Sequence, residues 1–131
     1  MSIELVRRWF SKLPESERDL PVIIYNGIAY TPRMILAEVE RGTPVGEYLQ
    51  RKLEEGSYGT TPEEEYRLAM IRLEQILRKY PPDKPVIGVL SARPIVLTPA
   101  QLLREIREGT PLGRMFVEAE LRHVKRLLRV R

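Results

Sequence analysis

Cysteine is absent from this chain of 131 residues, and its absence excludes several kinds of chemistry. Without thiols there is no disulfide, no thiolate nucleophile and no cysteine-rich zinc site. His123 is the sole histidine, so only carboxylates, backbone oxygens and this one imidazole could hold a metal. The sequence therefore predicts neither a cofactor nor a metal site.

Long apolar runs and side-chain amides are also scarce. No apolar run approaches the roughly 20 residues that cross a bilayer, and no basic start followed by an apolar stretch suggests a secretory signal. We therefore expect no transmembrane segment and a cytoplasmic location. Asn occurs once and Gln three times beside abundant Arg and Glu. This balance is typical of thermophilic proteins.

Sequence signatures of enzymes are missing as well. Neither a Gly-x-Ser-x-Gly nor a Ser-x-x-Lys arrangement supplies a nucleophile, and phosphate-loop and dinucleotide fingerprints do not occur. Glu120 and His123 have the Glu-x-x-His spacing of di-iron bundles, but that chemistry needs a second such pair. We expect a non-enzymatic protein, with a site of carboxylates distant in sequence as the remaining enzymatic alternative.

The chain does contain a repeated pattern. A helical segment that opens with Thr31-Pro32 ends at Gly42-Thr43-Pro44-Val45-Gly46, and 67 residues later Thr98-Pro99 leads to Gly109-Thr110-Pro111-Leu112-Gly113. Two amphipathic helices share their apolar spacing by chance, but they do not share Gly-Thr-Pro-x-Gly by chance. We interpret the chain as an internal duplication of one unit.

Each repeat is predicted to be a helix, a β-hairpin and two further helices. Asn26-Gly27 between apolar runs indicates a type I′ hairpin turn, and Thr31 and Thr43 are placed as N-caps before proline. Thr61 and Glu64 form a capping box in the second repeat. The expected elements are helix 2–13, strands 22–25 and 28–30, helices from Thr31 to Gly42 and from Thr43 to Glu55, helix 61–80, strands 86–90 and 95–97, a helix from Thr98 to Gly109 and a last helix from Pro111 toward Arg131.

This order of elements predicts an α+β fold. A lone two-stranded hairpin is marginal in water, so the two hairpins should pair or pack across a pseudo-twofold axis, with helices covering the small antiparallel sheet. The length suits a single domain, 1–131, made of repeats 1–59 and 60–131. The long helix should bury one stripe, formed by Tyr66, Met70, Leu73, Leu77 and Tyr80.

The net charge of +4 conceals an asymmetry between the two halves. Residues 1–65 carry 8 basic and 12 acidic side chains, whereas residues 66–131 carry 14 and 6, so the first repeat is acidic and the second basic. A basic half indicates a polyanionic partner. The candidate nucleic-acid contacts, acting on phosphates and not on bases, are Arg104, Arg107, Arg114, Arg122, Lys125, Arg126, Arg129 and Arg131.

These cations predict a nucleic-acid-binding protein. Duplex DNA or structured RNA is favoured over single strands because aromatic residues are scarce in the basic half. The main alternative is a protein-interaction or assembly subunit that binds an acidic protein, or a homo-oligomer in which the acidic half of one copy meets the basic half of another.

Narrower alternatives concern the tail and the two corners. The amphipathic basic tail suits a membrane surface or a partner's groove, and its cations also suit a solvated helix end. A capped corner such as Gly109–Gly113 could receive a phosphate, although capping alone explains its residues. The same corner, followed by Arg114, could form a helix-turn-helix.

Overall fold

Six α-helices and two β-hairpins make up the part of the chain described by a computed structural model, namely residues 3–56, 61–90 and 93–129, with 86–90 and 93–95 described by their backbone alone. The α+β class predicted from the sequence is therefore confirmed. The elements in chain order are α1 (Ile3–Lys12), a 3-10 turn (Glu15–Glu17), β1 (Ile23–Tyr25), β2 (Ile28–Tyr30), α2 (Pro32–Arg41), α3 (Pro44–Glu55), α4 (Pro62–Leu77), β3 (Val86–Leu90), β4 (Arg93–Leu97), α5 (Pro99–Glu108) and α6 (Pro111–Leu127).

The chain divides into two compact units. Unit 1 contains the chain up to Leu68 together with the segment from Arg122 onward, and unit 2 runs from Ala69 to Leu121. Helices α4 and α6 each contribute residues to both units. Because α6 ends in unit 1, the units have other boundaries than the repeats expected at 1–59 and 60–131.

The first hairpin has the turn that the sequence predicts. Strands β1 and β2 are antiparallel, with Ile23 opposite Tyr30. Asn26 and Gly27 connect them with φ values of 51° and 75°. Positive φ at both central residues is what an Asn-Gly hairpin turn requires.

The second hairpin begins its return strand earlier than expected. β4 starts at Arg93, whereas the sequence indicated Ile95, and Pro94 lies within the ladder opposite Val89. Both strands of a two-stranded ladder are edges, so a proline without an N–H is tolerated there. The sequence also predicts a turn at Ser91-Ala92-Arg93-Pro94. Arg93 and Pro94 belong to β4 instead, and Ser91 and Ala92 lie outside the described residues.

The two hairpins are separate two-stranded sheets in the described residues, each consisting of consecutive strands. The expectation that they pair into one small sheet is therefore wrong at the level of hydrogen bonding. The first hairpin is stabilised by the side chains that pack against it, since two strands alone are marginal. In β1, Ile23 and Ile24 are buried in the core of unit 1.

The core of unit 1 joins the beginning and the end of the chain. On α1, Val6, Trp9 and Leu13 are buried at the predicted helical spacing, and near the end of α6 Val124 and Leu128 are fully buried with them. Burying an aliphatic side chain of this size contributes about 1.5–3 kcal/mol. The segment around the end of α6 is therefore a structural part of unit 1.

Helix α4 departs from the predicted buried stripe. Leu73 and Leu77 are buried as expected, but α4 ends at Leu77 and Tyr80 is 50% exposed. The backbone N–H of Tyr80 bonds to the Leu77 carbonyl in a tight turn, so Tyr80 leaves the helical stripe. On α4 the buried set also includes Leu68, Ala69 and Arg72.

The two Gly-Thr-Pro corners have the same local geometry. The hydroxyl of Thr43 accepts from the Gly46 N–H at 3.0 Å and donates to the Glu38 carboxylate at 2.6 Å. Thr110 accepts from the Gly113 N–H at 3.1 Å and donates to Glu105 in the same way. Both corners are thus closed internally, by a threonine cap and a carboxylate from the preceding helix.

Within the described ranges, no helix combines the length and apolar character needed to cross a bilayer.

Candidate nucleic-acid interface

One hydrogen bond fixes α1 beside the last turn of α6. The indole N–H of Trp9 donates to the backbone carbonyl of Leu127 at 2.6 Å, between residues 118 positions apart in sequence. Trp9 is buried, and Leu127 packs against the same core. The outer faces of the two helix ends are therefore held side by side within unit 1.

Four cations surround this contact in a surface cavity of about 320 Å³. Arg8 and Lys12 are one turn apart on α1 and share one side of that helix. Arg126 lies in the last turn of α6, and Arg129 follows the end of the helix. The remaining lining is uncharged, and its residues are Trp9, Leu13, Pro14 and Leu127. We call this cavity the basic pocket.

The four cations of the basic pocket have no acidic partner within the part of the chain that is described. Some other cations of unit 1 form ion pairs. Arg7 lies 3.4 Å from Glu40, and the hydrogen bond from Arg33 to Asp19 raises the pKa of that guanidinium. The pocket therefore brings four cations without an acidic partner to one place in unit 1.

The other predicted contacts in unit 1 have different surroundings. Lys125 lines a second cavity of about 310 Å³, which Arg129 of the basic pocket also borders. Glu54 and Glu55 line the same cavity, so acidic groups offset part of the positive charge there. Arg122 is exposed on α6. Arg131 lies outside the described residues.

Three predicted contacts belong to unit 2. Arg104 and Arg107 are exposed on α5 and line one groove together with Arg78. Arg114 is exposed in the first turn of α6 and does not line that groove. The structure thus brings some of the eight predicted residues together within each unit.

The sequence analysis did not include Arg8 and Lys12 among the candidate contacts, because they belong to the half of the chain whose net charge is negative. A shorter window carries the signal: residues 1–14 contain three cations and one carboxylate. The chain's return to unit 1 changes the totals as well. Residues 1–68 with 122–131 carry 14 basic and 12 acidic side chains, and residues 69–121 carry 8 and 6, so each unit has a net charge of +2.

Two of the narrower alternatives, a tail that lies on a membrane or in a partner's groove and a phosphate at a corner, fit the contacts poorly. Val124 and Leu128 of the apolar stripe are fully buried, so they are not available to a membrane or to a partner's groove. At the corners, the carboxylates of Glu38 and Glu105 lie against the capping threonines. A second anion there would meet like charge.

The Glu-x-x-His pair is engaged in other contacts. Glu120 accepts a hydrogen bond from Arg72 at 2.8 Å, and His123 lies 2.9 Å from Glu17. Among the described residues, no three histidine or carboxylate side chains converge as metal ligands would.

Comparison with protein-family models, with curated proteins and with solved structures gives no significant match for this chain.

Proposed function

We propose that the protein is a non-enzymatic nucleic-acid-binding protein whose basic pocket contacts phosphates of duplex DNA or structured RNA. The observation that supports this function is the group of four cations around Trp9 and Leu127 that have no carboxylate partner within the described ranges. A phosphate that enters the pocket does not have to displace an internal ion pair.

The composition of the pocket suits a phosphate backbone. Arg8, Arg126 and Arg129 supply guanidinium groups, which match phosphate oxygens in a bidentate geometry, and Lys12 supplies a point charge. Several cations side by side release condensed counterions when they neutralise neighbouring phosphates, and this release provides sequence-independent affinity. The pocket contacts phosphates and does not read bases.

The test is binding of a labelled RNA hairpin and a labelled DNA duplex, followed by fluorescence anisotropy at about 0.1 M salt. We expect Arg8→Gln with Lys12→Gln, and separately Arg126→Gln with Arg129→Gln, each to weaken binding roughly tenfold or more, since each pair removes two phosphate contacts. The first pair is decisive because it lies in the acidic half of the sequence.

The matched control removes the same charge from paired cations of unit 1. Arg7 and Arg41 are exposed and form ion pairs with Glu40 and Glu38, so Arg7→Gln with Arg41→Gln should weaken binding much less. Equal losses in control and pocket variants would show only a response to net charge. That result would contradict a contact at the pocket.

We also propose that the single domain 1–131 arose by duplication, with repeats 1–59 and 60–131 related by a pseudo-twofold axis. The equivalent corners support this origin. N-caps Thr31 and Thr98 have φ and ψ of −82° and 161° and of −80° and 156°. Gly42 and Gly109 end their helices at φ of 66° and 65°.

A further inference from the structure

A groove in unit 2 combines features that the proposed function does not use. Helix α4 ends at Leu77, and the following turn leaves the Tyr80 ring half exposed. The Ala100 N–H donates to the Pro82 carbonyl at 3.3 Å, which ties the segment after Tyr80 to the start of α5. Between them lies a cavity of about 580 Å³, a size typical of small-ligand sites. We call it the Tyr80 groove.

The lining of the Tyr80 groove is apolar below and cationic at its edge. Leu77, Pro82, Pro99 and Leu103 provide apolar surface beside the tyrosine ring. Three guanidinium groups and one carboxylate complete the lining, from Arg78, Arg104, Arg107 and Glu108. The balance of charge favours an anionic ligand.

The three arginines are not equally available. Glu74 lies 3.4 Å from Arg107 and 3.9 Å from Arg78, so one carboxylate is shared by two of them. Arg104 has no acidic partner in the described part of unit 2. It is therefore the guanidinium group that can bind an incoming anion without losing an ion pair.

We infer that the Tyr80 groove binds an unpaired nucleotide of a nucleic-acid strand, with the base stacked on Tyr80 and the adjoining phosphate held by Arg104. A flat aromatic face beside apolar surface suits a base, since base–aromatic stacking tolerates any sequence. Bases become available in this way in loops, bulges and single strands. The inference rests on the proposed function and refines its ligand toward structured RNA with unpaired bases.

The test compares two labelled single strands of equal length, one with bases throughout and one with a run of abasic sites. Both strands carry the same phosphates, so the ratio of their affinities isolates stacking. Because one stacked base contributes about 1–3 kcal/mol, we expect the wild-type protein to prefer the complete strand by roughly tenfold. Tyr80→Ala should bring this ratio close to one, and Tyr80→Phe should keep it.

Two further variants separate the groove from the basic pocket. Arg104→Gln should weaken both strands alike, and Arg126→Gln with Arg129→Gln should weaken both strands while leaving the base preference intact. Equal binding of the two strands by wild type would overturn the inference, and so would a preference for the complete strand that persists in Tyr80→Ala. Neither result would contradict phosphate binding at the basic pocket. Absence of binding to either single strand at low salt would also overturn the inference, and binding of the DNA duplex in the same buffer would show that the basic pocket is unaffected by that result.

Discussion

Arg72 is fully buried in unit 2, an unusual position for a guanidinium group. Its Nε donates to Glu120 at 2.8 Å, and the Glu120 side chain is itself largely enclosed. The spacing of apolar residues on α4 does not predict that Arg72 is buried. The carboxylate that pairs with it, Glu120, lies 48 positions away in the sequence. Burying the pair costs desolvation that its mutual attraction only partly offsets.

Removing one member of this pair should therefore be more damaging than removing both. We expect Arg72→Met to lower the free energy of unfolding by about 3–5 kcal/mol, since Glu120 is left as an uncompensated charge. The double variant Arg72→Met with Glu120→Leu should recover most of that loss. Urea denaturation followed by circular dichroism measures both.

Arg107 provides the control for this prediction. It pairs with Glu74 at 3.4 Å but its side chain is 58% exposed, so Arg107→Ala should change the stability by less than about 1 kcal/mol. A loss for Arg72→Met no larger than this would contradict the assignment of Arg72 to a buried pair.

Among the secondary-structure elements, the sequence predicts best those turns and helix starts that are fixed by residues close together in the chain. The turn at Asn26-Gly27 is set by the φ angles of these two residues, and it forms as predicted. The caps Thr31 and Thr43 each bind an N–H three residues further on, and both helices start as predicted. Helix α4 ends at Leu77 in tight turns, in which the Lys79 and Tyr80 N–H groups donate to the Ile76 and Leu77 carbonyls. Local pattern predicted a longer helix and the wrong environment for that tyrosine.

The close helix corners depend on glycine at two equivalent positions. A methyl group on Gly46 would overlap the Glu38 carbonyl, and one on Gly113 would overlap the Glu105 carbonyl. Backbone atoms cannot yield as a flexible side chain does, so we expect Gly46→Ala and Gly113→Ala each to destabilise the fold by about 1–3 kcal/mol. Thermal denaturation is the measurement.

Arg114 supplies a matched substitution on the same helix as Gly113. Its side chain is exposed, so Arg114→Ala should leave the midpoint within a degree or two of wild type, as for most surface changes. Glycine variants as stable as Arg114→Ala would contradict the close approach of α2 to α3 and of α5 to α6.

For the whole molecule, order along the chain differs from order in space. The sequence suggested an acidic half and a basic half, yet residues from Arg122 onward belong to unit 1, and both units have the same net charge. The net charges of the two units therefore do not differ as those of the two halves of the sequence do. Among the described residues, four of the predicted contacts lie in unit 1, namely Arg122, Lys125, Arg126 and Arg129. Arg8 and Lys12 lie beside Arg126 and Arg129 only because the chain returns to unit 1.

The same return predicts the effect of shortening the chain. Truncation after Leu121 removes the buried side chains of Val124 and Leu128, a loss of about 3–6 kcal/mol at roughly 1.5–3 kcal/mol each. Because whole domains are stable by only about 5–15 kcal/mol, we expect the truncated protein to lose a large share of its stability and, in thermal denaturation, to melt at a much lower temperature than wild type. Arg126→Gln with Arg129→Gln keeps the apolar side chains and should remain folded, and a stable truncated protein would contradict the core assignment of the tail.

The central claim is that the basic pocket contacts phosphates, and the salt dependence of binding tests it most directly. The measurement is the affinity for one DNA duplex across a series of salt concentrations, for wild type and for the variant Arg8→Gln, Lys12→Gln, Arg126→Gln, Arg129→Gln. Four lost contacts should reduce the slope of log affinity against log salt by roughly 3.6. Parallel lines for the two proteins, or no binding by wild type at low salt, would contradict the claim.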